Sequence, residues 1–371
     1  MELTWSVEQE QFRAALRGFL DAKATVETLR PHLDEDDPVA AFDRGVWEQL
    51  AVQLGAQALA IPEEQGGAGA SLAEQLLVLE ELGRVLYDGP FLATVIATAV
   101  LNTIGPAAAG ALLQGIAEGA TVATLAEAEG DAFFRPPADT QVHIAGPTAR
   151  VTGVKRYVLD GGVADVLLVT ATTPEEPALV AVETSAAGVE VTPVRTLDRT
   201  RRMATVSLKD AEGTVLAVGA DAARALAHAC DVAIAALAAE QVGGAARCLE
   251  LTVEYSKLRE QFGRPIGSFQ ALKHRCADVL VSVEQSRSAV LYAAWASQED
   301  PAELGTAACV AGARASEAYL QAAQENLQMH GGIGYTWEHD AHLYLRRAKS
   351  SHQLFGSPAE HRRRLADLVK L

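Results

Sequence analysis

Two segments in the C-terminal part of this 371-residue sequence carry the most information. Residues 259–270 read REQFGRPIGSFQ, and residues 328–336 read QMHGGIGYT. Proline and paired glycines do not continue a helix, so both segments predict loops. The apolar residues around them recur at three- and four-residue spacing, which predicts helices that pack as an antiparallel bundle. These helices are predicted at 221–259, 268–295, 305–328, 341–349 and 358–368.

The first of these helices is unusually long, on the order of 58 Å at 1.5 Å per residue. Gly243 and Gly244 lie in its middle. Glycine destabilises a helix interior, so this pair predicts that another backbone packs closely there.

The rest of the chain divides into two zones with different patterns. Residues 6–117 have helical spacing, interrupted by IPEEQGGAG at 61–69, and Ser71 is a good N-cap for the helix that follows. Residues 121–218 contain short runs of valine and threonine between turn residues, which predicts antiparallel strands. The sequence therefore predicts three domains, a helical one at 1–117, a small β domain at 118–218 and a helical bundle at 219–371.

Composition limits the function classes. Hydrophobic residues make up 49% and charged residues 21%, so the chain is expected to fold. Its net charge of −17 argues against coating a nucleic acid. No apolar run reaches the roughly 18 residues of a membrane span, and the N-terminus does not resemble a signal peptide, which predicts a cytoplasmic protein. Four cysteines without C-x-x-C spacing are expected to be buried thiols rather than disulfides or zinc ligands.

The two C-terminal segments resemble motifs of the acyl-CoA dehydrogenase family, and the break at 62–69 resembles that family's N-terminal P-x-x-x-G-G-x-G loop. The resemblance covers essentially the whole chain. It implies an α+β fold with an N-terminal helical domain, a middle small β domain and a C-terminal four-helix bundle. It also implies α,β-dehydrogenation of an acyl-CoA with hydride transfer to FAD, and an electron-transfer flavoprotein or similar acceptor, in lipid metabolism.

In that family the two C-terminal loops of one subunit reach onto the FAD of its neighbour, which implies a homo- or hetero-oligomer. Arg259 offers a fork of donors to a pyrophosphate, and glycines let the backbone approach the cofactor without a side chain between. The residues that the resemblance assigns to the cofactor are Arg259, Phe262, Ile266, Phe269, Gln328, Gly331 and Gly332.

The other half of the family's flavin site belongs to the β domain, and here the sequence departs from the family. The usual T-E-P-x-x-G-S-D loop is reduced to LAEAEGD at 125–131. In place of the usual W-[IV]-[ST]-N-G, whose hydroxyl bonds flavin N5, the chain has YVLDG at 157–161. Tyr157 can stack on a ring, but the side chain of Leu159 has no hydrogen-bond donor.

The family's reaction needs a carboxylate to remove the α-proton, and the chain lacks it at both family positions. Phe355 stands where one glutamate is expected, and Ala233 stands where the other is expected. Ile234 replaces a nearby family arginine, whereas Asp231 matches a family aspartate that can contact substrate.

Glu240 is the remaining candidate for the base. It lies seven residues after Ala233, within roughly 20° of the same helix face but about 10 Å further along the axis. Its neighbours are small and apolar, and an unpaired carboxylate there would be costly. A catalytic glutamate and a glutamate paired with a group on a neighbouring helix both remain open.

Two histidines near the second loop, His339 and His342, suggest a metal site, but a loop with Asp340 as the N-cap of the next helix is favoured, so no metal is predicted. Three functions remain open: an autonomous homo-oligomeric dehydrogenase, a non-catalytic subunit that completes the FAD site of a catalytic partner, and more remotely a flavin-free interaction protein.

Overall fold

The structure is a computed structural model that describes residues 4–35, 37, 42–130 and 132–371. The N-terminal zone is helical, as predicted. Ser71 precedes the fourth helix, and its Oγ accepts a hydrogen bond from the amide of Ala73 at 3.0 Å, so it caps that helix as the sequence predicts. The helices are α1 (Val7–Lys23), α2 (Val26–Leu29), α3 (Arg44–Leu54), α4 (Leu72–Arg84), α5 (Phe91–Ile104) and α6 (Pro106–Ala117).

The middle zone is a seven-stranded sheet in the order β1-β4-β2-β3-β7-β5, with β6 paired to β7. Its strands are β1 (Ala123–Ala126), β2 (Gln141–Ala145), β3 (Thr148–Leu159), β4 (Val166–Thr172), β5 (Pro177–Glu183), β6 (Val189–Val194) and β7 (Met203–Val218). Because β5 pairs with both β7 and β4, the sheet closes on itself. The prediction of purely antiparallel strands is wrong for β1, which runs parallel to β4. Nearly 40 residues separate these two strands, which is long enough for a parallel connection.

The C-terminal zone contains the five predicted helices, with bounds shifted by at most a few residues. They are α7 (Ala220–Leu258), α8 (Gln270–Glu299), α9 (Leu304–His330), α10 (Ala341–Ser351) and α11 (Pro358–Leu368). Helix α9 packs against α8, α10 and α11, which gives the predicted helical bundle. A two-stranded hairpin, β8 (Glu260–Gln261) and β9 (Arg264–Pro265), connects α7 to α8.

The chain forms two compact units. One consists of Leu29–Gln75 and Asp88–Ala233, and it contains the sheet. The other consists of Leu76–Tyr87 and Ile234–Leu371 together with the N-terminal segment up to Thr28. Helices α4 and α7 each run from one unit into the other. The three domain boundaries drawn from the sequence stay a prediction.

The glycine pair of α7 lies where the sequence analysis requires a close neighbour. A Cβ on Gly243 would overlap the carbonyl oxygen of Glu80 in α4, and one on Gly244 would overlap the ring of Tyr319 in α9. In return, a Cβ on Gly83 of α4 would overlap the carbonyl oxygen of Glu240. Helices α4 and α7 therefore pack backbone to backbone, which only glycine permits.

Among the helices of the described ranges, α7 alone is long and apolar enough, by length and composition, to cross a membrane. However, 61% of its most apolar window is buried inside the protein, as in the core helix of a globular domain.

Candidate functional site

The first predicted cofactor loop is the β8–β9 hairpin that follows α7. It starts as a direct extension of the helix, because the amide of Arg259 donates to the carbonyl of Tyr255 at 2.8 Å. At its tip Phe262 is 90% exposed and has a φ of 54°, so its ring projects outward from a strained backbone. Phe269 packs edge-on against Phe262 with 6.0 Å between ring centroids, and the guanidinium of Arg264 lies 4.1 Å from the Phe269 ring.

The second predicted cofactor loop follows α9. Gly331 has a φ of 62° and ends the helix by donating its amide to the carbonyl of Gln328, which is exposed. A Cβ on either Gly331 or Gly332 would meet nothing within 4 Å, so the backbone of this turn borders open space. A ligand can therefore approach the backbone closely there.

Three stacked rings connect the two loops. The rings of Tyr255 and His330 have centroids 4.3 Å apart, and so have the rings of His330 and His339. Nδ1 of His330 donates to the carbonyl of Asn326 at 2.8 Å. Burial lowers the pKa of His330; the Asn326 carbonyl opposes this shift and His339 adds to it. His330 is therefore a neutral spacer between the loops, a role that its sequence position does not reveal.

The metal interpretation of His339 and His342 finds no support in the structure. Nδ1 of His339 accepts the amide of Ala341 at 3.1 Å, and the ring of His342 stacks on Trp337 at 4.8 Å. Helix α10 does begin after Asp340, as predicted, but without a side-chain capping hydrogen bond from that residue. No group of three or more ligating side chains occurs in the part of the chain that the structure describes.

The shortened loop after β1 is held by a buried lysine. Nζ of Lys155, which is fully buried, contacts Glu129 at 2.7 Å, the carbonyl of Glu127 at 3.2 Å and Thr170 Oγ1 at 3.0 Å. Burial alone would raise the pKa of Glu129, but hydrogen bonds from Lys155 and from backbone amides hold it at about 2. Asp131, the last residue of this motif, lies outside the described residues.

Glu127 lies in the same loop but has a different protonation behaviour. Its carboxyl accepts the amide of Phe134 at 2.8 Å, and burial raises its pKa to about 7 despite that bond and the nearby Lys155. The carboxyl is therefore partly protonated near neutral pH.

The segment 157–161 has the backbone of a shaped site but lacks its donor. Tyr157 and Asp160 both have a φ of 52°. Between them Leu159 is buried, and its carbonyl accepts the hydroxyl of Thr124 at 2.7 Å. Since the side chain of Leu159 cannot donate, this half of the flavin site lacks the hydrogen bond that the family motif supplies.

Neither family position for the base carries a carboxylate, and the surroundings are apolar. Ala233, Ile234 and Phe355 are all buried. A Cβ on Gly312 would lie 2.7 Å from Cγ2 of Ile234 and 3.0 Å from the imidazole of His361. Burial lowers the pKa of His361 to about 4, so this ring is neutral at physiological pH. The two positions are packed with uncharged side chains.

Glu240 has a basic partner. Its side chain is 8% exposed, and Oε1 accepts a hydrogen bond at 2.8 Å from Nη1 of Arg347 in α10, whose side chain is 3% exposed. Nη2 of Arg347 donates weakly to the carbonyls of Leu86 and Tyr87 at 3.4 and 3.3 Å. The structure thus shows the paired glutamate that the sequence analysis kept as the alternative, and a catalytic role for Glu240 stays a prediction.

Asp231, the predicted substrate contact, is half-buried near the middle of α7's N-terminal half and acts electrostatically on His228. Its role toward a substrate stays a prediction. The same holds for each residue assigned to the cofactor.

The geometry fits FAD better on one side than on the other. Arg259, the projecting ring of Phe262 and the open backbone at Gly331 suit a cofactor that another chain presents. Leu159 removes a contact from the chain's own half. Bound FAD supplies the hydride acceptor of the reaction.

Comparison with known proteins identifies the family. Residues 6–119 match the acyl-CoA dehydrogenase N-terminal domain, and residues 223–369 match the acyl-CoA dehydrogenase C-terminal domain. The acyl-CoA dehydrogenase IpdE2 of Mycolicibacterium smegmatis is 38% identical over 97% of this chain and 98% of its own length.

Two solved structures are also similar over nearly their whole length. The ChsE4-ChsE5 complex from Mycobacterium tuberculosis superimposes with a TM-score of 0.88 at 30% identity, covering 100% of this chain and 99% of the other. The Tcur3481-Tcur3483 steroid dehydrogenase variant gives 0.88 at 30% identity, with 98% of each chain covered. The chain therefore belongs to the acyl-CoA dehydrogenase family, with that family's fold, its FAD cofactor and its part in the α,β-dehydrogenation of CoA thioesters.

Proposed function

We propose that this chain acts in an oligomer with a second acyl-CoA dehydrogenase chain, which supplies the catalytic base. The observation that carries the proposal is the state of the three base positions. Phe355 and Ala233 have no acid–base group, and Glu240 is held in an ion pair with Arg347. A carboxylate already engaged by a buried guanidinium is a poor proton acceptor, because the pair stabilises its charged form.

The comparisons support a mixed assembly. Two similar solved structures are named as pairs of chains, ChsE4 with ChsE5 and Tcur3481 with Tcur3483. This chain keeps the loops that the family extends across a subunit interface, with Phe262 almost fully exposed. A projecting apolar ring is expected to be covered when a partner is present.

In this assembly the residues of the chain have defined roles. Arg259 donates to the pyrophosphate of the partner's FAD, and Phe262 and Phe269 cover the cofactor with apolar surface. Ile266 and Gln328 complete the contact, and Gly331 and Gly332 let the backbone approach. Asp231 remains the proposed substrate contact. The α-proton passes to a carboxylate of the second chain while FAD accepts the β-hydride.

A second candidate is an autonomous homo-oligomer in which Glu240 is the base. It is favoured by one observation, a buried carboxylate on the same helix as Ala233. In either case we propose a cytoplasmic enzyme of lipid metabolism that passes electrons to an electron-transfer flavoprotein or similar acceptor.

The test compares the chain purified alone with the chain co-expressed with a neighbouring dehydrogenase gene. Flavin absorbance is recorded before and after anaerobic addition of straight-chain and ring-bearing acyl-CoA thioesters, since one similar structure is described as a steroid dehydrogenase. The proposal expects bleaching only with the partner present. Bleaching by the chain alone, with turnover equal to that of the co-expressed complex, would assign the chemistry to this chain.

A further inference from the structure

The geometry points to His330 as a positioning residue that holds the two cofactor loops in register. This inference rests on the proposed function, since it concerns the loops that contact the partner's FAD. The carbonyl of Asn326 fixes the His330 ring through Nδ1 at 2.8 Å, so the ring is anchored within its own helix. One face then meets Tyr255 and the other region of the ring meets His339, each at 4.3 Å between centroids.

Each end of this stack connects directly to one loop. Tyr255 accepts the amide of Arg259 through its carbonyl, so the position of Tyr255 sets where the Arg259 hairpin leaves α7. His339 accepts the amide of Ala341 and so fixes the end of the second loop against the start of α10. A displacement of either loop must therefore break a ring contact or move the His330 ring.

The stack also explains why the spacer is a histidine and why it is neutral. His330 is 5% exposed and lies between an aromatic ring and a second imidazole. A charged ring at this place would lie beside His339 without a carboxylate partner among its ring neighbours, Tyr255 and His339. A phenyl ring has similar shape and can make both ring contacts, although it loses the bond to Asn326.

The experiment uses the full chain in the oligomer in which it is purified with FAD. His330→Ala removes two ring contacts, each worth about 0.5–1.5 kcal/mol in aromatic pairs. We expect FAD dissociation to become roughly 10-fold faster, with much of the loss recovered in His330→Phe. His143→Ala, which removes an exposed histidine from strand β2, is the control and should leave FAD dissociation unchanged.

A double-mutant cycle separates positioning from general destabilisation. If His330 acts through the hairpin, His330→Ala adds little to the effect of Arg259→Ala on FAD dissociation. Fully additive effects would overturn the inference. So would failure of His330→Phe to recover more than His330→Ala.

A second measurement does not depend on flavin at all. Hydrogen–deuterium exchange of His330→Ala should speed up in both 255–269 and 331–340 and nowhere else. Faster exchange in 331–340 alone would show that the ring does not couple the loops, whatever the cofactor data. If the chain proves to hold no partner's FAD, the proposed function fails while this measurement still decides the positioning role.

Discussion

Replacing Glu240 with glutamine distinguishes a structural carboxylate from a catalytic one. Both partners of its ion pair are almost fully buried, at 8% and 3% side-chain exposure. Removing one member of a buried pair typically costs about 3–5 kcal/mol, because the other charge is left without compensation. Arg347 keeps weak bonds to two carbonyls at 3.3 and 3.4 Å, so the lower limit applies, about 3 kcal/mol. That loss corresponds to roughly a 100-fold shift in the unfolding equilibrium.

The assay combines urea unfolding of the chain with turnover of the reconstituted oligomer, normalised to folded protein. We expect Glu240→Gln to lower the free energy of unfolding by about 3 kcal/mol and to leave turnover within a few-fold of wild type. A double replacement, Glu240→Leu with Arg347→Met, is the matched control. It removes both charges and should be close to wild type in stability, because no buried charge is left unpaired.

The opposite pattern would refute this reasoning. A general base typically contributes roughly 10²- to 10⁴-fold in rate. If Glu240→Gln unfolds at the same urea concentration as wild type but loses turnover by that factor, the ion pair is not structural and Glu240 is the base. The double replacement would then be equally inactive.

Three further predictions follow from contacts described above. Arg259→Ala should weaken FAD retention by about 1.5–3 kcal/mol, the value of a charge-assisted hydrogen bond, measured as flavin content after gel filtration; unchanged content would remove its assigned role. Gly243→Ala should destabilise the chain by several kcal/mol, on the order of other overpacking changes, because its Cβ overlaps the carbonyl of Glu80. Gly110→Ala in helix α6, where a Cβ meets only a proline side chain at 4.0 Å, should be neutral or slightly stabilising in the same thermal melts. Glu127 has a folded pKa of about 7, above its unfolded value near 4.3, so it stabilises the fold below about pH 4.3 and loses that contribution as pH rises through 7. Wild type should therefore lose about 3 kcal/mol between those limits that Glu127→Gln does not lose.

Local pattern was enough to predict the helices but not their partners. The spacing of apolar residues located α7 and α11 almost to the residue, and Gly243 announced a close neighbour that proved to be α4. The contact of Glu240 with Arg347 joins residues 107 positions apart. Nothing in either local segment encodes that pairing, so the sequence could only leave it as one of two alternatives.

The ring stack was missed for a related reason. Tyr255 lies four residues before Arg259, and His330 immediately precedes Gly331, so each ring borders a predicted cofactor loop. That adjacency was the available signal. What it could not give was the fold that brings the end of α7 beside the end of α9, which depends on how the whole bundle packs.

Backbone strain gives the last argument about the division of labour. Of the eight described non-glycine residues with positive φ, four lie in the family motifs: Tyr157, Asp160, Phe262 and Phe355. Each such conformation costs about 1–2 kcal/mol, and no glycine relieves it. Phe355 keeps a φ of 60° at the position where the family places its base, although a phenyl group has no acid–base chemistry to orient. A chain that retained only the fold would gain stability by relaxing that turn. Retained strain without the reactive group fits a subunit that keeps the shape of the site while another chain supplies the proton acceptor.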